Sequence, residues 1–74
     1  MNRDIRMHVR NRARLAKGIG NIIKEDTTRL HSDLDDLSAI TLEEDIYEIK
    51  RSSQWLIDTL SEIEHYLYLI RRDG

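Results

Sequence analysis

The stretch from Thr41 to Arg72, TLEEDIYEIKRSSQWLIDTLSEIEHYLYLIRR, decides the fold. Its apolar residues Leu42, Ile46, Ile49, Leu56, Leu60, Ile63, Leu67 and Ile70 fall at alternating steps of four and three, interrupted only by Ser53. A repeat of that kind specifies a long helix that packs along one side against another helix. Thr41 followed by Glu44 forms a capping box, and Glu43, Glu44 and Asp45 complement the helix dipole in the first turn. Arg71 and Arg72 suit the opposite end, so the predicted helix covers residues 42–72.

Working outward, Val9, Ala13, Ala16, Gly20, Ile23, Thr27, Leu30, Leu34 and Leu37 keep the same alternation and predict a first helix over residues 3–37. Gly18 and Gly20 together lower its helix propensity by roughly 2 kcal/mol relative to Ala, which leaves a kink or break there as an open reading. Ser32 with Asp35 is a second candidate cap, so a three-helix division near residues 26–32 also stays open. The link over residues 38–41 is short and forces neighbouring helices to run antiparallel. The expected fold is all-α: one domain, residues 1–74, built as an antiparallel helical hairpin. Pairing positions whose numbers sum to about 80 sets Gly20, Ala16 and Ala13 against Leu60, Ile63 and Leu67. It also sets Thr27 against Ser53, a polar layer able to fix register.

A chain of 74 residues buries only about 60% of its unfolded surface, which leaves a lone hairpin marginal and makes oligomerisation the expected remedy. There is no Cys, hence no disulfide framework or thiolate metal site, and no Pro to interrupt a helix. No apolar run approaches the roughly 18 residues needed to cross a bilayer, and a secretory signal is absent from the N-terminal stretch, so a cytoplasmic protein with no membrane insertion is expected. The Arg-rich first 24 residues could be read as a transit peptide, but their apolar positions continue the register of the helix that follows.

A second apolar row, Met1, Ile5, Leu15, Ile19 and Ile22, lies only in the N-terminal half of the first helix. Trp55, Ile57, Tyr66 and Leu69 lie only in the C-terminal half of the second. A hairpin brings those halves to its open end, which is then too apolar for a solvated pair. Ile5, Leu15, Ile19, Ile22, Trp55, Tyr66 and Leu69 are therefore the predicted interface of a homo-oligomer, a dimer of hairpins or larger.

The net charge of −2 conceals an asymmetry. Residues 1–24 carry seven Lys or Arg against Asp4 alone, whereas residues 25–64 carry twelve acids against Arg29, Lys50 and Arg51. Arg3, Arg10, Lys17 and Lys24 recur every seven residues beside the apolar arc, flanked by Arg6 and Arg14. Arg71, Arg72 and Tyr68 join them at the open end. Guanidinium groups pair bidentately with phosphate and aromatic rings stack on bases, so Arg6, Arg10, Arg14, Lys17, Tyr68, Arg71 and Arg72 are the candidate anion-binding residues. The competing reading is a solvated cationic face that complements the acidic half of a neighbouring chain.

No motif for catalysis or for a cofactor is found. Ser52, Ser53 and Ser61 lack an activating His and acid, and there is no Gly-rich phosphate loop. Glu62 and His65 have the Glu-x-x-His spacing of di-metal bundles without the inward-facing Glu residues that such sites need. The expectation is a non-enzymatic helical oligomer that binds nucleic acid or a nucleotide and regulates or sequesters it. The alternative is a stoichiometric protein-protein inhibitor or adaptor that uses its apolar stripe or acidic turn end.

Overall fold

The computed structural model describes residues 3–34 and 39–73 and consists of two helices, α1 (Arg3–Asp33) and α2 (Ala39–Asp73). They lie side by side in a hairpin 54 Å long and 14 × 12 Å across. His8 stacks on Tyr66, Arg12 meets Glu62, and Asp33 meets Asp45, so the start of α1 lies beside the end of α2 and the pair is antiparallel. These partners have numbers that sum to 74–78 rather than the predicted 80, a shift of two to six residues along the seam.

The helix ends differ modestly from expectation. α1 stops at Asp33, and the Leu34 N–H donates to the Leu30 carbonyl across 3.1 Å in the closing turn. α2 starts at Ala39, so Thr41 and Glu44 stand within the helix and not at its cap. Ala39 and Ile40 offer no break, and Ala is the strongest helix former, so the helix extends back past the expected start. Met1, Asp35, Asp36, Leu37, Ser38 and Gly74 lie outside the described residues.

α1 runs through Gly18 and Gly20 as one uninterrupted helix of 31 residues. A Cβ added at either glycine would meet nothing within 4 Å. Gly18→Ala is therefore expected to raise stability by about 1 kcal/mol through helix propensity alone, an upward shift of several degrees in the thermal midpoint. A midpoint that stayed put or fell would show that the backbone at residue 18 needs glycine.

The seam itself is rotated from the sequence reading. The shared rows are as expected: Val9, Ala16, Ile23 and Leu30 on α1 and Leu42, Ile49, Leu56, Ile63 and Ile70 on α2 are half-buried. The rows beside them are exchanged. Asp45, Ser52 and Thr59 are buried on α2 while Ile46, Leu60 and Leu67 are exposed; on α1, Ile19 and Asp26 are buried while Ala13, Thr27 and Leu34 are exposed. An apolar arc wider than one seam has a centre that periodicity finds and two flanks that it cannot rank. Turning α1 this way brings the large side chain of Ile19, 1% exposed, into the hairpin in place of Ala13 and Gly20.

Of the polar residues that come in with it, Ser52 is small, Thr59 and Asp26 are bonded within their own helices, and Asp45 keeps one carboxylate oxygen without a partner. The Thr59 hydroxyl, on a residue 2% exposed, donates to the Trp55 carbonyl one turn back at 2.9 Å. Asp26 accepts from Arg29 at 2.6 Å. No cross-helix Thr27–Ser53 layer forms, because Thr27 is exposed and its hydroxyl donates to the Ile23 carbonyl of its own helix at 2.9 Å. Ile19 is the only fully buried apolar side chain among the described residues.

Candidate functional site

The outer face of α1 carries the cations. Arg3, Arg6, Arg10, Arg14, Lys17 and Lys24 are all exposed, and none makes an ion pair with a described residue. Helical geometry sets the reason: the steps from residue 3 to 10, 17 and 24 keep one side of the helix, away from the row that contains Val9 and Ile23. Arg10 to Lys24 spans about 21 Å at 1.5 Å per residue. The cationic row is thus extended along the molecule, with no acid on the described chain to neutralise it.

The open end of α2 presents Tyr68, Arg71 and Arg72, all exposed. Tyr68 and Arg71 share a shallow hollow with Leu67 and Glu64, lined by α2 alone. The structure therefore groups the predicted anion-binding residues in two sets, Arg6, Arg10, Arg14 and Lys17 on α1 and Tyr68 with Arg71 on α2. The hollow at Tyr68 and Arg71 includes none of the α1 set.

The predicted association residues are divided. Ile19 lies inside the hairpin, and Ile5, Leu15, Tyr66 and Leu69 are half-buried along its seam. Ile22 and Trp55 remain 41% and 47% exposed. Tyr66 is held by ring contacts: His8 stacks on it at 5.6 Å and 6°, and His65 tilts against it at 6.0 Å. Glu62 accepts from Arg12 Nε at 3.0 Å, which gives that carboxylate a structural role at the interhelix boundary. The pair is about half exposed, so its contribution is at most about 1 kcal/mol. Among the described residues no three His, Asp or Glu side chains are grouped to hold a metal ion, and no helix is long and apolar enough to cross a membrane.

At the turn end the sequence reading missed a carboxylate pair, Asp33 on α1 and the buried Asp45 on α2. Asp45 is 6% exposed, and its Oδ2 has no hydrogen-bond donor. Asp33 on α1 faces it. The hydrogen bond to Asp45 raises the Asp33 carboxyl above its ordinary value of 3.8, with burial and the Asp45 charge acting in the same direction and Arg29 opposing them. Two carboxylates cannot share a hydrogen bond without a proton between them, which is why the contact raises Asp33. The signal was present in the sequence as the heptad steps Asp26 to Asp33 and Asp45 to Ser52 to Thr59, which a hydrophobic template passes over.

Compared with protein-family models, curated proteins and solved structures, the chain matches none of them.

Proposed function

We propose that this chain is a non-enzymatic helical-hairpin protein that binds an extended polyanion, nucleic acid, along the outer face of α1. The observation that carries the reading is the row of exposed cations, Arg3, Arg10, Lys17 and Lys24, flanked by Arg6 and Arg14 and without ion-pair partners on the described chain. Its length favours a phosphate backbone over a single nucleotide, because a nucleotide needs an enclosing pocket and the hollow at Tyr68 and Arg71 is shallow and built from one helix. The protein acts by occupancy in the cytoplasm as a homo-oligomer of hairpins and regulates what it covers.

Arg10→Ala with Arg14→Ala tests this. The affinity for duplex or single-stranded nucleic acid falls, and the slope of log K against log salt flattens by about 2, one unit for each phosphate no longer neutralised. Unchanged affinity for every nucleic acid tried would remove the reading. A second reading, a protein that docks on one macromolecular partner, is favoured by a different observation. Ile46, Leu60 and Leu67 are 43–45% exposed in one row of α2.

A further inference from the structure

The exposed row on α2 has the pattern of a second seam. Ile46, the half-buried Ser53, Leu60 and Leu67 follow one another by sevens, and beside them at steps of four and three stand Glu43, Lys50, Ile57, Glu64 and Arg71. Ile57 is 55% exposed, and the four charged residues are exposed and without ion-pair partners among the described residues. A helix facing water on this side needs none of these apolar groups. The hairpin exposes 6077 Å², whereas a compact monomer of 8.8 kDa exposes roughly 4,800 Å². The excess, roughly 1,300 Å² per chain, is more than the roughly 800 Å² that each partner of a standard-size interface covers.

Both rows read as their own partner when reversed. With a second α2 laid antiparallel and centred at Ile57, Ile46 faces Leu67 and Ser53 faces Leu60. In the neighbouring row Glu43 faces Arg71, Lys50 faces Glu64, and Ile57 faces its own copy. Every charge meets its opposite, and every position except Ser53 in the central row is apolar. On α1 the corresponding row is Ala13, Gly20 and Thr27, small residues of which Ala13 and Thr27 are exposed and Gly20 is half-buried; Gly20 lies at the same level of the hairpin as Ile57 given the His8–Tyr66 and Asp33–Asp45 contacts. Small residues there let two α1 helices approach closely. The whole-molecule charge agrees: residues 3–24 and 51–73 at the open end carry ten basic against five acidic residues, and residues 25–50 at the turn end carry nine acidic against two basic.

We propose that two copies of this chain pair through that face, with their turn ends at opposite poles and a two-fold axis passing by Ile57 and Gly20. This specifies the geometry of the homo-oligomer invoked above and rests on that part of the reading. It assigns Arg71 to the partner copy's Glu43 and leaves the α1 cations of both copies side by side on one surface. The anion-binding surface is then a property of the dimer.

The native chain has no cysteine, so a single one reports its own neighbours. Ile57→Cys is expected to form a covalent dimer rapidly on mild oxidation, whereas Asp58→Cys, one residue round the helix, stays monomeric in the same time. Charge reversal is the second measure. Lys50→Glu or Glu64→Lys alone weakens the dimer, by sedimentation equilibrium, roughly tenfold or more, because each places two like-charged pairs in the interface, and the two reversals combined restore it. A mass of one chain at every concentration overturns both the pairing and the oligomer reading. A dimer in which residues 57 and 58 cross-link equally, or in which the double reversal fails to restore affinity, overturns this geometry while leaving an oligomer of another form. Loss of nucleic-acid binding in a protein whose dimer is intact bears on the anion reading alone.

Discussion

Ile19→Ala is expected to abolish the cooperative melting of this protein. Ile19 is 1% exposed and the only fully buried apolar side chain among the described residues, at the middle of α1 where the two helices meet. Removing its branched side chain costs about 2–5 kcal/mol through lost transfer energy and an unfilled cavity. A chain of this size has a total stability of roughly 4–11 kcal/mol, so the loss consumes much or all of it. Far-UV circular dichroism against temperature reads the result. Ile22→Ala, at a position 41% exposed, is the matched control and is expected to cost a fraction as much. Equal effects of the two substitutions would show that the seam is not rotated as described and that Ile19 has no special place in it.

Asp45→Asn is expected to stabilise the protein at neutral pH and to flatten its pH dependence. Asp33 has a raised pKa in the folded state, so the folded form holds a proton that the unfolded form has already released. The stabilisation tied to that proton is complete below the unfolded value of 3.8 and is lost as pH rises through the raised folded value. Above that window the wild type keeps two facing carboxylates and the Asp45 oxygen without a donor. An Asn side chain at residue 45 brings a permanent N–H to Asp33 and removes one charge. The gain at pH 7 is expected as a higher urea midpoint, because a buried polar atom left unpaired is destabilising. Urea midpoints measured at about pH 4 and pH 7 decide the matter: the wild type should lose stability over that interval relative to the Asn variant, and parallel curves would dismiss the shared proton.

The two helices and their antiparallel order were legible in the sequence because the 4,3 alternation around Leu42, Ile49, Leu56 and Ile63 and around Val9, Ala16, Ile23 and Leu30 is strong enough to place the centre of each apolar face. What could not be read was the turn of each helix about its own axis. Ile46 and Asp45 lie on either side of the Leu42 row, and a template that scores apolarity selects Ile46. The hairpin instead takes Asp45, Ser52 and Thr59. Hydroxyls that bond back to their own helix carry little penalty when covered, as Thr59 shows with the Trp55 carbonyl. Side chains that a single chain leaves outside were also invisible as such: the sequence marks Leu60 and Leu67 as buried without saying by what.

The cations of α1 were legible in a more limited way. Their spacing by sevens gave one face, and the structure leaves that face exposed and without ion-pair partners. Grouping Arg71 and Tyr68 with them rested on both lying at the open end. The structure places Tyr68 and Arg71 in a hollow of α2 that holds none of the α1 cations. Ends of a hairpin are a coarse coordinate, and azimuth around each helix decides which side chains can reach one ligand.

If two copies pair as proposed, a hairpin with one fully buried apolar side chain among its described residues makes protein abundance a variable of its own fold. Mass action ties the folded fraction to chain concentration, and each tenfold dilution withdraws about 1.4 kcal/mol of the coupling between folding and pairing. Dilution then acts as a denaturant and synthesis as a chaperone. In such a pairing, newly made chains at low copy number would stay open to proteolysis, and a modest change in expression would become a sharp change in the amount of folded protein.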